Sequence, residues 1–173
     1  MITEKNSITN EVVYSDDKAH RYLLSRIWDS EKSIPMIITK NSGKADGVFI
    51  DLTTNIMSNN LYKLGYGGFY AVNLCSAIDN AGSSSFDKTT DDIIKKYAKL
   101  CTEIIIAYGY LTTKPMQARE RDVLDILKKS GKKLLAVCDN NGQINIHPLT
   151  PSVRRKFILV EFDANIKPKM NKN

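Results

Sequence analysis

Two loops carry the side chains with the widest chemical range in this chain. His147, one of only two histidines, is followed directly by Pro148. An imidazole fixed by a following proline can point into a neighbouring pocket and donate to developing negative charge. The plainer alternative is a turn histidine that bonds only the backbone. The second loop reads Lys40-Asn41-Ser42-Gly43-Lys44-Ala45-Asp46-Gly47. Two lysines, an amide, a hydroxyl and a carboxylate crowd together there, a set able to hold phosphate or a polar ring edge, although Asn, Ser and Gly also serve a simple turn. Asp46 and Asp51 are candidates for acid–base work, with a turn or helix-cap role as the alternative. Several chemistries are excluded by spacing. The loop lacks the Gly-x-x-x-x-Gly-Lys-Ser/Thr pattern of a P-loop, no Gly-x-Ser-x-Gly elbow occurs, and no histidine or acidic spacing predicts a metal site or a cofactor.

The elements that must position these loops follow from periodicity. Pro35-Met36-Ile37-Ile38-Thr39 reads as a buried strand opened by proline, so the Lys40–Gly47 loop leaves its carboxyl end. Leu52, Ile56, Leu61 and Leu64 repeat at helical spacing until Gly65 and the Gly67-Gly68 pair stop them. Phe69-Tyr70-Ala71-Val72-Asn73-Leu74 follows as a central strand, expected to end at Asn73-Leu74 and to give way to a polar loop over 75–90 that can act as a lid. Thr89 and Asp92 have capping-box spacing ahead of the next helix. Strands are expected near 103–107 and 133–138, separated by a helix that Thr113 and Pro115 open and Gly131 closes. Alternating strands and helices from 35 to 138 predict an α/β fold, a three-layer α/β/α arrangement around a mainly parallel sheet. Ligands bind such sheets beyond the carboxyl ends of the strands. This places Asn73, Tyr108 and His147 near one mouth. Arg21 and Arg26 fall on opposite faces of an alternating segment, Arg21 to Trp28.

The length of 173 residues fits one domain, expected over 21–163, with an N-terminal extension over 1–20 and a basic flexible tail over 164–173. Within the extension, Val12-Val13-Tyr14 can add an edge strand. No apolar run reaches the ~20 residues of a membrane helix, and the first residues lack the regions of a secretory signal, so a cytoplasmic protein without a membrane partner is expected. Cys75, Cys101 and Cys138 are isolated and odd in number, which favours core thiols over disulfides. The net charge of +6 suits a polyanionic partner. The oligomeric state has no signature in the sequence.

As a set, these segments resemble a bacterial and phage family known as domain-of-unknown-function family 1643. The resemblance rests on Arg21-Tyr-Leu-Leu-Ser25-Arg26-Ile-Trp28, on Asn41-Ser42-Gly43-Lys44-Ala45-Asp46 with Asp51-Leu52-Thr53, on Gly65 to Leu74, on Ala107-Tyr108-Gly109, and on Gly142 with His147-Pro148-Leu149. In the second segment, Ser42 stands where the family carries proline. That family is in turn similar to the uracil-DNA glycosylase-like superfamily. The likeness implies a water-activating position at Asn41, a base- or DNA-contacting role for His147, and a base edge read by Asn73. Tyr66, Phe69, Tyr70 and Tyr108 would supply stacking, and Arg21, Arg26, Lys40 and Lys44 would hold phosphate. The expected function is binding of a nucleotide or nucleobase, with sequestration of a nucleotide signal as its role. The alternatives are a glycosylase-type hydrolase using Asn41 and His147, or an interaction domain without catalysis. The ligand-binding set is then Arg21, Arg26, Lys40, Ser42, Lys44, Asp46, Asn73, Tyr108 and His147, and the expected partner is a nucleotide, a nucleobase or nucleic acid.

Overall fold

The structure, a computed structural model, describes residues 1–78 and 85–163. Ten elements follow one another: β1 (Thr9–Tyr14), β2 (Arg21–Ile27), β3 (Met36–Ser42), α1 (Leu52–Lys63), β4 (Gly68–Ile78), α2 (Lys88–Leu100), β5 (Ile104–Ile106), α3 (Lys114–Lys129), β6 (Leu134–Cys138) and β7 (Ile158–Glu161). The seven strands form one sheet in the order β1-β2-β4-β3-β5-β6-β7. The central four, β4-β3-β5-β6, are mutually parallel, while β1, β2 and β7 are antiparallel to their neighbours. The expected parallel centre is therefore present. β1 lies within the region read as an extension.

Each face of the sheet has its own core. α1 buries Ile56, Met57 and Leu61 against Leu24, Ile37, Ala71, Ile105 and Val137. On the other face, Ile94 and Tyr97 of α2 and Val123 and Leu127 of α3 pack on Leu23, Ile38, Val72 and Ile106. The crossover from β3 to β4 uses one face, and those from β4 to β5 and β5 to β6 use the other. The winding direction thus reverses between β3 and β5, the place where such sheets leave room for a ligand at the carboxyl edge. Cys75, Cys101 and Cys138 are buried free thiols. No helix among the described residues is long and apolar enough to cross a membrane.

Three local expectations are corrected. β4 does not stop at Asn73-Leu74 but continues to Ile78, so residues 75–78 of the expected polar loop are strand, while 79–84 lie outside the described residues, as does the tail from 164. The second helix is capped two residues earlier than Thr89: Asp87 accepts from the Thr90 amide, and the Thr90 hydroxyl receives the Asp87 amide. Finally, β2 is not a regular alternation. Val13 faces Leu23 and Tyr14 faces Arg21, leaving Tyr22 as an extra residue in a bulge. A bulge re-aims the side chains beyond it. Tyr22 and Leu23 both turn toward the α2 side, where the Tyr22 hydroxyl donates to Asp87, and Arg21 turns to the α1 side.

Candidate functional site

The cleft at the carboxyl edge is lined by Arg21, Thr39, Asn41, Gly43, Asp51 and His147, with the first turn of α1 (Thr53, Thr54) beside them. Asn41 and His147, separated by most of the chain, thus share one cleft. It holds about 50 Å³. Pockets that enclose a drug-sized ligand run to roughly 300–1,000 Å³, so this one admits the edge of a ring or a single small group.

Arg21 is 5% exposed and reaches the cleft because of the bulge. Its Nη1 donates to the Ala45 carbonyl at 2.6 Å, whereas its Nε has no partner. Burial pulls the guanidinium below its usual pKa, and the Asp51 carboxylate opposes that shift. Arginine nevertheless stays charged in any protein environment. A buried cation with an unmet donor is costly, and a ligand acceptor would relieve that cost.

His147 is held from two sides. Its Nδ1 accepts from the Leu149 amide at 3.2 Å, so the neutral ring carries its proton on Nε2. Gly109, at φ +74°, packs so closely that an added Cβ would stand 3.1 Å from the His147 Cβ. Asn145 clamps that glycine, with Oδ1 accepting from the Gly109 amide (3.2 Å) and Nδ2 donating to its carbonyl (3.3 Å). Asn145 itself sits at φ +58° and is buried. Its place in Asn-x-His-Pro is the only trace it leaves in the sequence, and sequence reasoning passed over it.

Burial first, and then the nearby Lys40 charge, push the His147 pKa below the ordinary 6.5, with Asp51 opposing. The folded state therefore binds fewer protons than the unfolded chain just below pH 6.5. Stability contributed by the neutral ring is complete above that value and falls as the pH drops toward the folded pKa. Imidazole resonances followed by NMR should show His147 titrating below 6.5, and His147→Gln should flatten the acid limb of the stability curve. A midpoint at or above 6.5 would contradict this environment.

Asp51 is the N-cap of α1, its Oδ1 accepting from Thr54 at 2.8 Å, while it also lines the cleft. A side chain on Gly43 would push its Oδ2 aside. Lys40 is half-buried, and Lys44 is exposed on the same loop. Lys40 is near enough to lower the pKa of His147 and also opposes the burial-driven rise at Cys75.

Other sequence candidates are placed differently. Asn73, buried in the middle of β4, donates to Thr39 Oγ1 (2.6 Å) and to the Asn41 carbonyl (2.8 Å), and the Ser42 hydroxyl lies 2.9 Å from its Oδ1. Both Asn73 and Ser42 are thereby committed to holding the carboxyl end of β3. Asp46 serves its own turn, Oδ1 accepting from the Val48 and Phe49 amides at 2.7 Å, and these bonds hold its pKa below the usual value. Tyr108 is buried and its hydroxyl donates to Glu120, so its ring offers no free face. Arg26 lies five residues along β2, opposite Phe69, roughly 16 Å from Arg21 at the amino edge of the parallel strands. It is on the same face as Arg21, because of the bulge, yet nowhere near the cleft. Nothing in the structure accounts for its partnerless Nε. Tyr66 and Phe69 also belong to that far edge, and Tyr70 packs on Tyr97 across the sheet. Tyr110, next to Gly109 and 60% exposed, is an aromatic at the correct edge that sequence reasoning missed. Among the described residues no group of His, Cys, Asp and Glu side chains has the arrangement of a metal site.

Residues 21–149 match the family described as protein of unknown function (DUF1643), and the chain belongs to that family. No curated protein and no solved structure gives a match.

Proposed function

We propose that this member of the DUF1643 family binds a nucleotide or nucleobase, with a polar edge of the ligand in the cleft between the carboxyl end of β3, the first turns of α1 and His147. One observation carries the reading: Arg21, almost fully buried at the cleft, keeps an Nε donor with no acceptor. Around it stand the His147 Nε2–H, the Thr39 hydroxyl and the Asp51 carboxylate, which with the Arg21 Nε make three donors and one acceptor in a space that suits a ring edge. The lysines of the β3 loop supply charge for phosphate. The likeness to the uracil-DNA glycosylase-like superfamily supports the same reading, since the loops that carry it, at Asn41 and His147, meet here.

Native mass spectrometry of freshly purified protein, followed by titration calorimetry with nucleotides, tests the reading. Arg21→Met fills the same space without charge but leaves the Ala45 carbonyl without its donor, so its urea midpoint is measured beside its affinity. It should weaken nucleotide binding by about 2 kcal/mol, the range of a charge-assisted bond. Absence of both a retained nucleotide and measurable heat with any nucleotide would defeat the proposal.

A glycosylase-type hydrolase is the second reading. It is favoured by a neutral imidazole with Nε2–H facing a cleft that also holds a carboxylate, an arrangement able to support a departing base and orient water. In that case Asn41 and Asp51 are the groups near the water. Base released from uracil-, hypoxanthine- or mismatch-containing DNA decides for the enzyme. Nucleotide affinity without release decides for the binder.

A further inference from the structure

Away from the cleft, Arg154-Arg155-Lys156 place three adjacent exposed cations in the segment between His147 and β7. Among the described residues none of the three has a carboxylate at ion-pair distance. Their backbone is pinned. The Asn60 amide donates to the Arg154 carbonyl at 3.0 Å, and its oxygen accepts from the Phe157 amide at 2.9 Å. Val153 and Phe157 are buried beneath, and turn bonds run from Thr150 to the His147 carbonyl and from Val153 to that of Thr150. Arg154 Nε also donates to the Leu149 carbonyl. Three like charges are thus held side by side, an arrangement that repels itself until a polyanion neutralises it.

The position relative to the cleft is set by α1. Thr53 lines the cleft and Asn60 holds the cationic segment; seven residues apart, they lie on one stripe of the helix, about 10 Å apart along its axis. The segment from His147 to Lys156 therefore runs down the flank of α1 from the cleft to its last turn, where exposed Lys63 adds a fourth cation.

We infer that the ligand is a strand of nucleic acid rather than a free nucleotide: one base presents its edge to the cleft, and the backbone crosses α1 so that its phosphates meet Arg154, Arg155 and Lys156. This rests on the base-binding reading above. A single nucleotide in the cleft leaves those cations unused, whereas a strand has a charge every ~3.4 Å of duplex axis and spans the interval in a few residues. An anionic membrane surface fits less well. Its apolar anchors should share a side with the cations, but the exposed apolar run Val48-Phe49-Ile50 lies at the opposite end of α1, and of the exposed large apolar side chains only Tyr62 and Leu64 stand beside Lys63.

The test compares a mononucleotide, by calorimetry, with a labelled single-stranded 12-mer, by fluorescence anisotropy, for the wild type and Arg155→Gln/Lys156→Gln. This pair leaves Arg154 and its backbone bond in place. The 12-mer should bind at least tenfold tighter than the mononucleotide. The double variant should cost the 12-mer about tenfold at low salt and reduce the slope of log affinity against log salt by about 1.4, with mononucleotide binding unchanged. Mononucleotide binding with no gain for the 12-mer, or with an unchanged salt slope in the variant, overturns the inference and leaves the base-binding reading standing. Absence of binding to either probe defeats both. Equal, Arg155- and Lys156-dependent binding to vesicles of anionic lipid would also overturn it in favour of a membrane surface.

Discussion

Gly67→Ala is expected to leave little folded protein. A methyl there would overlap the Asp29 carbonyl and stand 2.8 Å from the Lys32 Cβ. The backbone cannot step aside, because the Gly67 carbonyl accepts from the Trp28 and Asp29 amides (2.9 and 2.8 Å) and its amide donates to Ser33 (2.9 Å). These bonds join the end of β2 to the start of β4. Overpacking costs roughly 1–3 kcal/mol, and each bond broken by the shift adds about 1 kcal/mol. The total, about 4–6 kcal/mol, approaches the whole ~5–15 kcal/mol stability of an ordinary domain. Gly65→Ala is the internal control. Gly65 sits at φ +88° with nothing within 4 Å of an added Cβ, so only backbone strain of about 1 kcal/mol applies. Urea unfolding of both variants checks the pair, and equal midpoints would show that the contact at Gly67 relaxes without cost.

Asn73→Ala is expected to destabilise the protein by about 3–4 kcal/mol. It removes donors from Thr39 Oγ1 and the Asn41 carbonyl and a neighbour from the Ser42 hydroxyl, all at the buried end of β3. Each buried polar group left unpaired costs roughly 1–3 kcal/mol. Because the Asn41 carbonyl is one of these groups, the β3 loop should loosen, visible as faster amide exchange over residues 41–45. Ligand affinity should fall with it, but only in step with the lost stability. A variant of unchanged urea midpoint that bound ligand poorly would instead restore a direct contact role for Asn73.

These two positions also divide what is readable in the chain from what is not. The glycines were legible as a break between helix and strand, since no other residue ends the 3.6-residue pattern so sharply. That Gly67 tolerates no side chain was not, because the colliding carbonyl belongs to Asp29, on a different element. Asn73 was legible as a polar residue in an apolar run. Its role reversed once β4 proved to run on to Ile78, for an apolar-to-polar transition marks a change of environment and not the end of a strand. The same limit explains Tyr108, whose ring looked available until Glu120 and the core enclosed it.

By itself the sequence determined the alternation of strands and helices, the parallel centre they build, and the two loops at its carboxyl edge. Those follow from local periodicity and from the handedness of βαβ crossovers, which neighbouring residues encode. Only the tertiary structure decided which cations reach the cleft. One extra residue in β2 turns Arg21 toward Ala45 and Asp51, and strand length alone carries Arg26 to the far edge. A bulge depends on how a strand pairs with its neighbour, so a one-residue shift that exchanges the two faces of a sheet leaves no mark in the periodicity of the strand that contains it.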